Sequence, residues 1–85
     1  MKSFSYVIQD KIGIHARPAG LLVNEVKKYN CEVMMSYNGK RVNCSRLMSV
    51  MSLGVKSGGE ITIEITGADE EAAYNGLMGF FKSNL

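Results

Sequence analysis

Asn38-Gly39 stands between two runs in which apolar and polar residues alternate, and no other dipeptide constrains this chain as strongly. A two-residue hairpin turn of type I′ needs positive φ at both central positions, which asparagine tolerates and glycine adopts freely. Before the turn, Cys31, Val33, Met35 and Tyr37 recur with the period of two that marks a strand with one buried face. After it, Lys40 to Cys44 returns alongside. Two more strands carry the same signal: Phe4, Tyr6 and Ile8 alternate with Ser3, Ser5 and Val7, and Ile61, Ile63 and Ile65 with Thr62, Glu64 and Thr66.

Between the strands the period changes. From Ala16, the residues Ala19, Leu22, Val23 and Val26 follow helical spacing and define a buried stripe. Lys27-Lys28 are expected in the last turn of that helix, with Asn30 as its end. Leu47 to Leu53 reads as a helix of about two turns closed by Gly54. Asp69 is the expected N-cap of a final helix, with Glu70 and Glu71 in its first turn and Ala73, Leu77, Phe80 and Phe81 as its stripe. Gly76 and Gly79 weaken that helix by about 1 kcal/mol each, unless close packing offsets the loss. The resulting order, β-α-β-β-α-β-α, predicts an α+β fold with helices on one face of a largely antiparallel sheet.

With 85 residues the chain is expected to form a single domain, 1–85. A net charge of +2 lacks the concentrated basic face that nucleic acid demands. No basic region followed by an apolar stretch opens the chain, and the longest aliphatic run near the first helix, Leu21-Leu22-Val23, is far too short for a membrane span. A cytoplasmic location without membrane insertion is expected. Cys31 and Cys44 lack C-x-x-C spacing, and one histidine with two cysteines makes a poor zinc set. The hairpin puts them on a diagonal, which disfavours a disulfide, so two buried free thiols are expected.

The chemistry concentrates in Gly13-Ile14-His15-Ala16-Arg17-Pro18-Ala19, which holds the only histidine. His15 is expected as N-cap, with Pro18 inside the first turn, where its missing N–H costs nothing. The N–H groups of Ala16 and Arg17 then have no helical partner and can bind an anion beside the imidazole. Arg17, Leu21 and Asn24 fall opposite the buried stripe, so the guanidinium is free to meet phosphate oxygens with paired hydrogen bonds. A neutral imidazole is a nucleophile, and the nearby positive potential keeps it neutral and ready to attack. The pattern points to a histidine that carries a phosphoryl group. A lone histidine in a small protein is ordinarily a surface or capping residue, and the Gly-x-His-x-Arg-Pro context argues against that here. A serine or cysteine hydrolase is disfavoured, because no acidic partner for His15 can be placed; Asp10 is the nearest candidate and is expected in solvent.

Leu47, Met48, Val50, Met51 and Leu53 are too many apolar residues for one face of a two-turn helix. Either some are exposed, as flexible thioethers at a partner-binding surface are, or the helix is sunk deeper into the core.

These residues resemble the HPr family, the histidine-containing phosphocarriers of the bacterial phosphoenolpyruvate-dependent sugar phosphotransferase system. The resemblance spans the chain: residues 13–19 match the active-site motif, and Val50-Met51-Ser52-Leu53-Gly54 the second-helix region. Tyr37-Asn38-Gly39-Lys40 and Gly59-Glu60-Ile61-Thr62-Ile63 also fit. It implies an open-faced β-sandwich with four strands in order 1-4-2-3 and three helices. It implies that His15 accepts phosphate at Nδ1 from phosphorylated enzyme I and hands it to enzyme IIA domains, steadied by Arg17. The protein is then a carrier rather than a stand-alone enzyme, a monomer, with no metal or cofactor. Docking is implied through Gly20, Leu21, Leu47, Met48 and Met51. Many Gram-positive members carry a regulatory serine at the start of the second helix; here Arg46 holds that position, with Ser45 one residue earlier. The serine kinase and transcriptional-regulator partnership therefore lacks its usual acceptor, and Ser45 replaces it only if the register shifts by one, the less favoured of the two readings. Ser49 stands where a glycine is common. Two alternatives remain: a regulatory docking module of the same fold, which has no need of both His15 and Arg17, and a carrier in a nitrogen-related regulatory branch.

Overall fold

The hairpin closes where Asn38-Gly39 stands. Tyr37 pairs with Lys40, and Asn38 (φ +49°) and Gly39 (φ +82°) both take positive φ, as a type I′ turn requires. The computed structural model describes every residue, Met1–Leu85. In chain order it contains β1 (Lys2–Val7), α1 (Ala16–Val26), β2 (Cys31–Tyr37), β3 (Lys40–Asn43), α2 (Leu47–Ser52), β4 (Glu60–Gly67) and α3 (Glu70–Asn84). All pairings are antiparallel and the sheet order is β1-β4-β2-β3. The clearest alternating run, β4, is interior: Ile63 lies opposite Phe4 on one side and Met35 on the other.

Period-two alternation sends Val33, Met35, Ile61, Ile63 and Ile65 to one face, where they are fully or almost fully buried. The helices cover that face through Ala19, Leu22, Val23 and Val26 of α1, Val50 of α2, and Ala73, Leu77 and Phe81 of α3, all in one core cluster. Phe81 centres an aromatic group, edge-on to Phe4 and Phe80 and tilted on Tyr6, which docks α3 over β1. Truncating such a buried ring costs about 3–5 kcal/mol. The surface pair Arg41–Glu64, 2.7 Å on the open face, belongs to a class worth about 1 kcal/mol or less. The core therefore dominates. The open face carries Ser5 and Thr62, hydroxyl to hydroxyl at 3.1 Å. No helix is long and apolar enough to cross a membrane.

Three details depart from expectation. α1 ends at Val26, so Lys27 is its C-cap rather than a last-turn residue, and Asn30 lies beyond the helix. The N–H groups of Lys28 and Tyr29 bond three residues back, to Glu25 and Val26, a tightened turn that feeds the chain into β2. Cys31 is only half-buried, because β2 begins there at the margin of the core. Cys44 is buried, with its N–H donated to the Val33 carbonyl at 2.9 Å, and both thiols are free. Burial pushes the Cys44 thiol up to about 12, so it stays protonated and unreactive. Gly76 has a packing role: a Cβ there would strike the Tyr29 hydroxyl, which donates to Glu25 Oε2 at 2.9 Å between α1 and α3. Nothing lies within 4 Å of a Cβ built at Gly79, and its place in the helix has no packing explanation.

Candidate functional site

The loop before α1 is placed by its backbone. Gly13 holds φ +90°, which L side chains rarely adopt, and a Cβ there would collide with the Val55 carbonyl oxygen and come within 2.7 Å of Lys56 Cα. Its N–H is donated to the Asp10 carbonyl at 3.1 Å, and the next N–H, from Ile14, goes to Val55 O at 2.9 Å. Ile14 is buried and anchors the loop in the core. His15 follows as the N-cap of α1, with extended backbone (φ −106°, ψ −173°). Its carbonyl accepts the first bond of the helix, from Ala19 N–H at 2.9 Å. The N–H groups of Ala16 and Arg17 stand ahead of that bond.

The imidazole makes no capping hydrogen bond, and the first turn contains no acidic residue. The positive end of the helix is therefore not neutralised from within its own first turn. Arg17 is exposed and forms no ion pair, while Pro18 turns inward and is buried. His15, Arg17, Pro18 and Leu21 line one cleft of about 270 Å³ with Asp10, Ser83 and Asn84. The His15 side chain is 38% exposed, enough for an incoming group to reach the ring.

Two residues of this cleft, Ser83 and Asn84, carry no sequence signal, and a third, Asp10, lies elsewhere than expected. Asp10 is not free in solvent: its Oδ1 accepts the Ile12 N–H at 2.9 Å and lies 4.0 Å from His15 Nε2, with the side chain 30% exposed. The Asp-x-x-Gly spacing of a tight turn was its available signal. Ser83 and Asn84 arrive only because α3 runs back along the site, and nothing local in the sequence marks them. Asn84 Nδ2 donates to the Phe80 carbonyl at 3.0 Å.

Of the surface residues, Leu21 and Leu47 are about two-fifths exposed and Met48 is 76% exposed, whereas Gly20 and Met51 are half-buried. Val50 and Leu53 point into the core, so α2 is divided between the two readings its composition left open. α1 packs beside α2, which sets this apolar surface next to the cleft. Arg46 is the exposed N-cap of α2 (φ −117°, ψ 112°) and makes no side-chain cap bond. The Ser45 hydroxyl and N–H are both donated to Asn43 Oδ1, at 2.8 and 2.9 Å. Ser49 is half-buried within α2, and nothing in the structure explains its choice over glycine.

Residues 2–83 match the family described as the PTS HPr component phosphorylation site. The fold is shared with the histidine-containing phosphocarrier protein of Mycoplasma at 35% identity and a TM-score of 0.93, covering 96% of this chain and 93% of that one. It is shared with HPr-C-His of Thermoanaerobacter tengcongensis at 36% identity and TM-score 0.93, covering 99% and 94%. The phosphocarrier protein HPr of Bacillus anthracis str. Ames is 32% identical with a TM-score of 0.87, covering 94% and 95%. With the strand order, the helix-start histidine and these likenesses in agreement, the chain belongs to the HPr family, phosphocarriers of the phosphotransferase system rather than stand-alone enzymes.

Proposed function

We propose that His15 is the residue that carries the phosphoryl group, taking it from phosphorylated enzyme I, which draws it from phosphoenolpyruvate, and passing it to enzyme IIA domains for sugar uptake. The Nδ1 lone pair forms the new bond to phosphorus as the donor's bond breaks and its electron pair leaves with the donor. The second transfer reverses this at Nδ1, with the acceptor as nucleophile. Arg17 and the N–H groups of Ala16 and Arg17 hold the phosphoryl oxygens, so the protein's contribution is position and charge. Gly20, Leu21, Leu47, Met48 and Met51 receive both partners in turn. The protein acts as a cytoplasmic monomer, and Arg46 offers no hydroxyl for a serine kinase.

The observation that carries this reading is the half-exposed imidazole at an acid-free helix start, in one cleft with an unpaired Arg17. The test is incubation with phosphoenolpyruvate and enzyme I, read by intact mass. Wild type gains one phosphoryl group and His15→Ala gains none. Equal labelling of both, or of neither, overturns the assignment.

A further inference from the structure

Asp10 is the one carboxylate in the cleft, and it is held from several sides. Its N–H is donated to a Leu85 main-chain oxygen at 2.8 Å, and its carbonyl accepts the Gly13 N–H at 3.1 Å. Its side-chain Oδ1 accepts the Ile12 N–H at 2.9 Å, closing a local turn that restricts the carboxylate. That same oxygen faces His15 Nε2 at 4.0 Å, beyond a direct hydrogen bond but well within reach of its charge. Nothing in the phosphoryl step as described uses this group.

A neutral imidazole carries one proton, on Nδ1 or on Nε2, and only the bare nitrogen can attack. A negative charge beside Nε2 favours the form whose N–H dipole points at it. We infer that Asp10 is a positioning residue that keeps the His15 proton on Nε2 through the whole phosphoryl cycle. The inference rests on His15 as the acceptor. On the way in, the Nδ1 lone pair bonds to phosphorus, the donor's bond to phosphorus breaks, and the Nε2 proton does not move. On the way out, the P–Nδ1 bond breaks and its electron pair returns to Nδ1. Because Nε2 still holds its proton, the ring departs as neutral imidazole rather than as the much poorer leaving group imidazolate. Without Asp10 the phosphorylated ring surrenders that proton to solvent more readily, and the P–N bond lasts longer.

The test uses Asp10→Asn and Asp10→Ser, each of which removes the charge and retains an oxygen acceptor for the Ile12 N–H. At fixed neutral pH the phosphohistidine lifetime in each variant is expected to rise about tenfold, the lower end of the range for losing a carboxylate that orients a histidine. In ¹⁵N spectra of the unmodified ring, the Nδ1–H form is expected to gain population in both variants, a change that a purely structural role does not produce. Lifetimes and ring shifts that match wild type in both variants overturn the inference. If His15 takes up no phosphoryl group in any form, the acceptor reading falls, and the ring spectra still decide what Asp10 does to the imidazole.

Discussion

Helices α1 and α3 begin in opposite ways. At α3, Asp69 is the N-cap and Glu70 and Glu71 fill the first turn. Every one of these carboxylates is engaged: Asp69 Oδ2 accepts the Asn30 N–H at 2.7 Å, Glu70 Oε2 the Gly67 N–H at 3.2 Å, and Glu71 pairs with Lys2 at 3.0 Å. At α1 the cap is an imidazole and the first turn has no acid at all. Acidic residues at a helix start stabilise by about 0.3–1 kcal/mol each, so α1 leaves available stabilisation unused. One helix start carries its own negative charge, although Asp69, like His15, makes no side-chain cap bond. The other is held in place by a loop and left open to an anion from outside.

If the loop rather than a cap places the start of α1, Gly13→Ala is the most damaging change. The left-handed φ and the collision with Val55 together cost about 3 kcal/mol or more by urea unfolding, and phosphoryl uptake falls with the displacement of His15. A loss below about 1 kcal/mol would break the contrast, since the loop would then be dispensable. Next in size, Arg17→Ala slows phosphoryl acceptance about tenfold in single-turnover assays while stability stays within about 0.5 kcal/mol, because the guanidinium binds nothing in the resting chain. A matching loss of stability would mean that α1 too is stabilised from within.

The smallest effect comes from acid. The Gly67 N–H, and after it the N-terminal amine, hold the Glu70 carboxyl below its usual 4.5. A carboxyl lowered by folding contributes stability that is complete above its unfolded value and disappears as pH falls through the folded one. Stability should therefore decline as pH drops below about 4.5, and Glu70→Gln should flatten part of that decline in thermal unfolding. An unchanged slope would remove Glu70 from the account of α3.

Local periodicity made most of the fold legible. The Ile61, Ile63, Ile65 run, the Asn38-Gly39 turn and the α1 stripe each encode their own environment over a few residues. The end of α1 is less legible, because Tyr29, in the turn beyond the helix, meets Gly76 of α3 and no local signal announces that contact. The site divides the same way. The positions of His15 and Arg17 follow from spacing along one helix. Asp10 looked like a solvated loop acid because its neighbours in space, His15 and the end of α3, are not its neighbours in the turn. Ser83 and Asn84 belong to the site only through the docking of α3.

Leu21 lies in the cleft wall, on the helix that packs beside α2 with its exposed Leu47 and Met48. If both partners use this surface, as proposed above, one seated there to deliver a phosphoryl group covers the ground that the next needs, and donor and acceptor exclude each other. Throughput is then governed by how soon each encounter ends. At association rates of about 10⁶–10⁷ M⁻¹ s⁻¹, a micromolar complex dissolves in about 0.1–1 s, and a nanomolar one would last about a thousand times longer. A carrier with one ring and one surface works fastest with partners that hold it loosely.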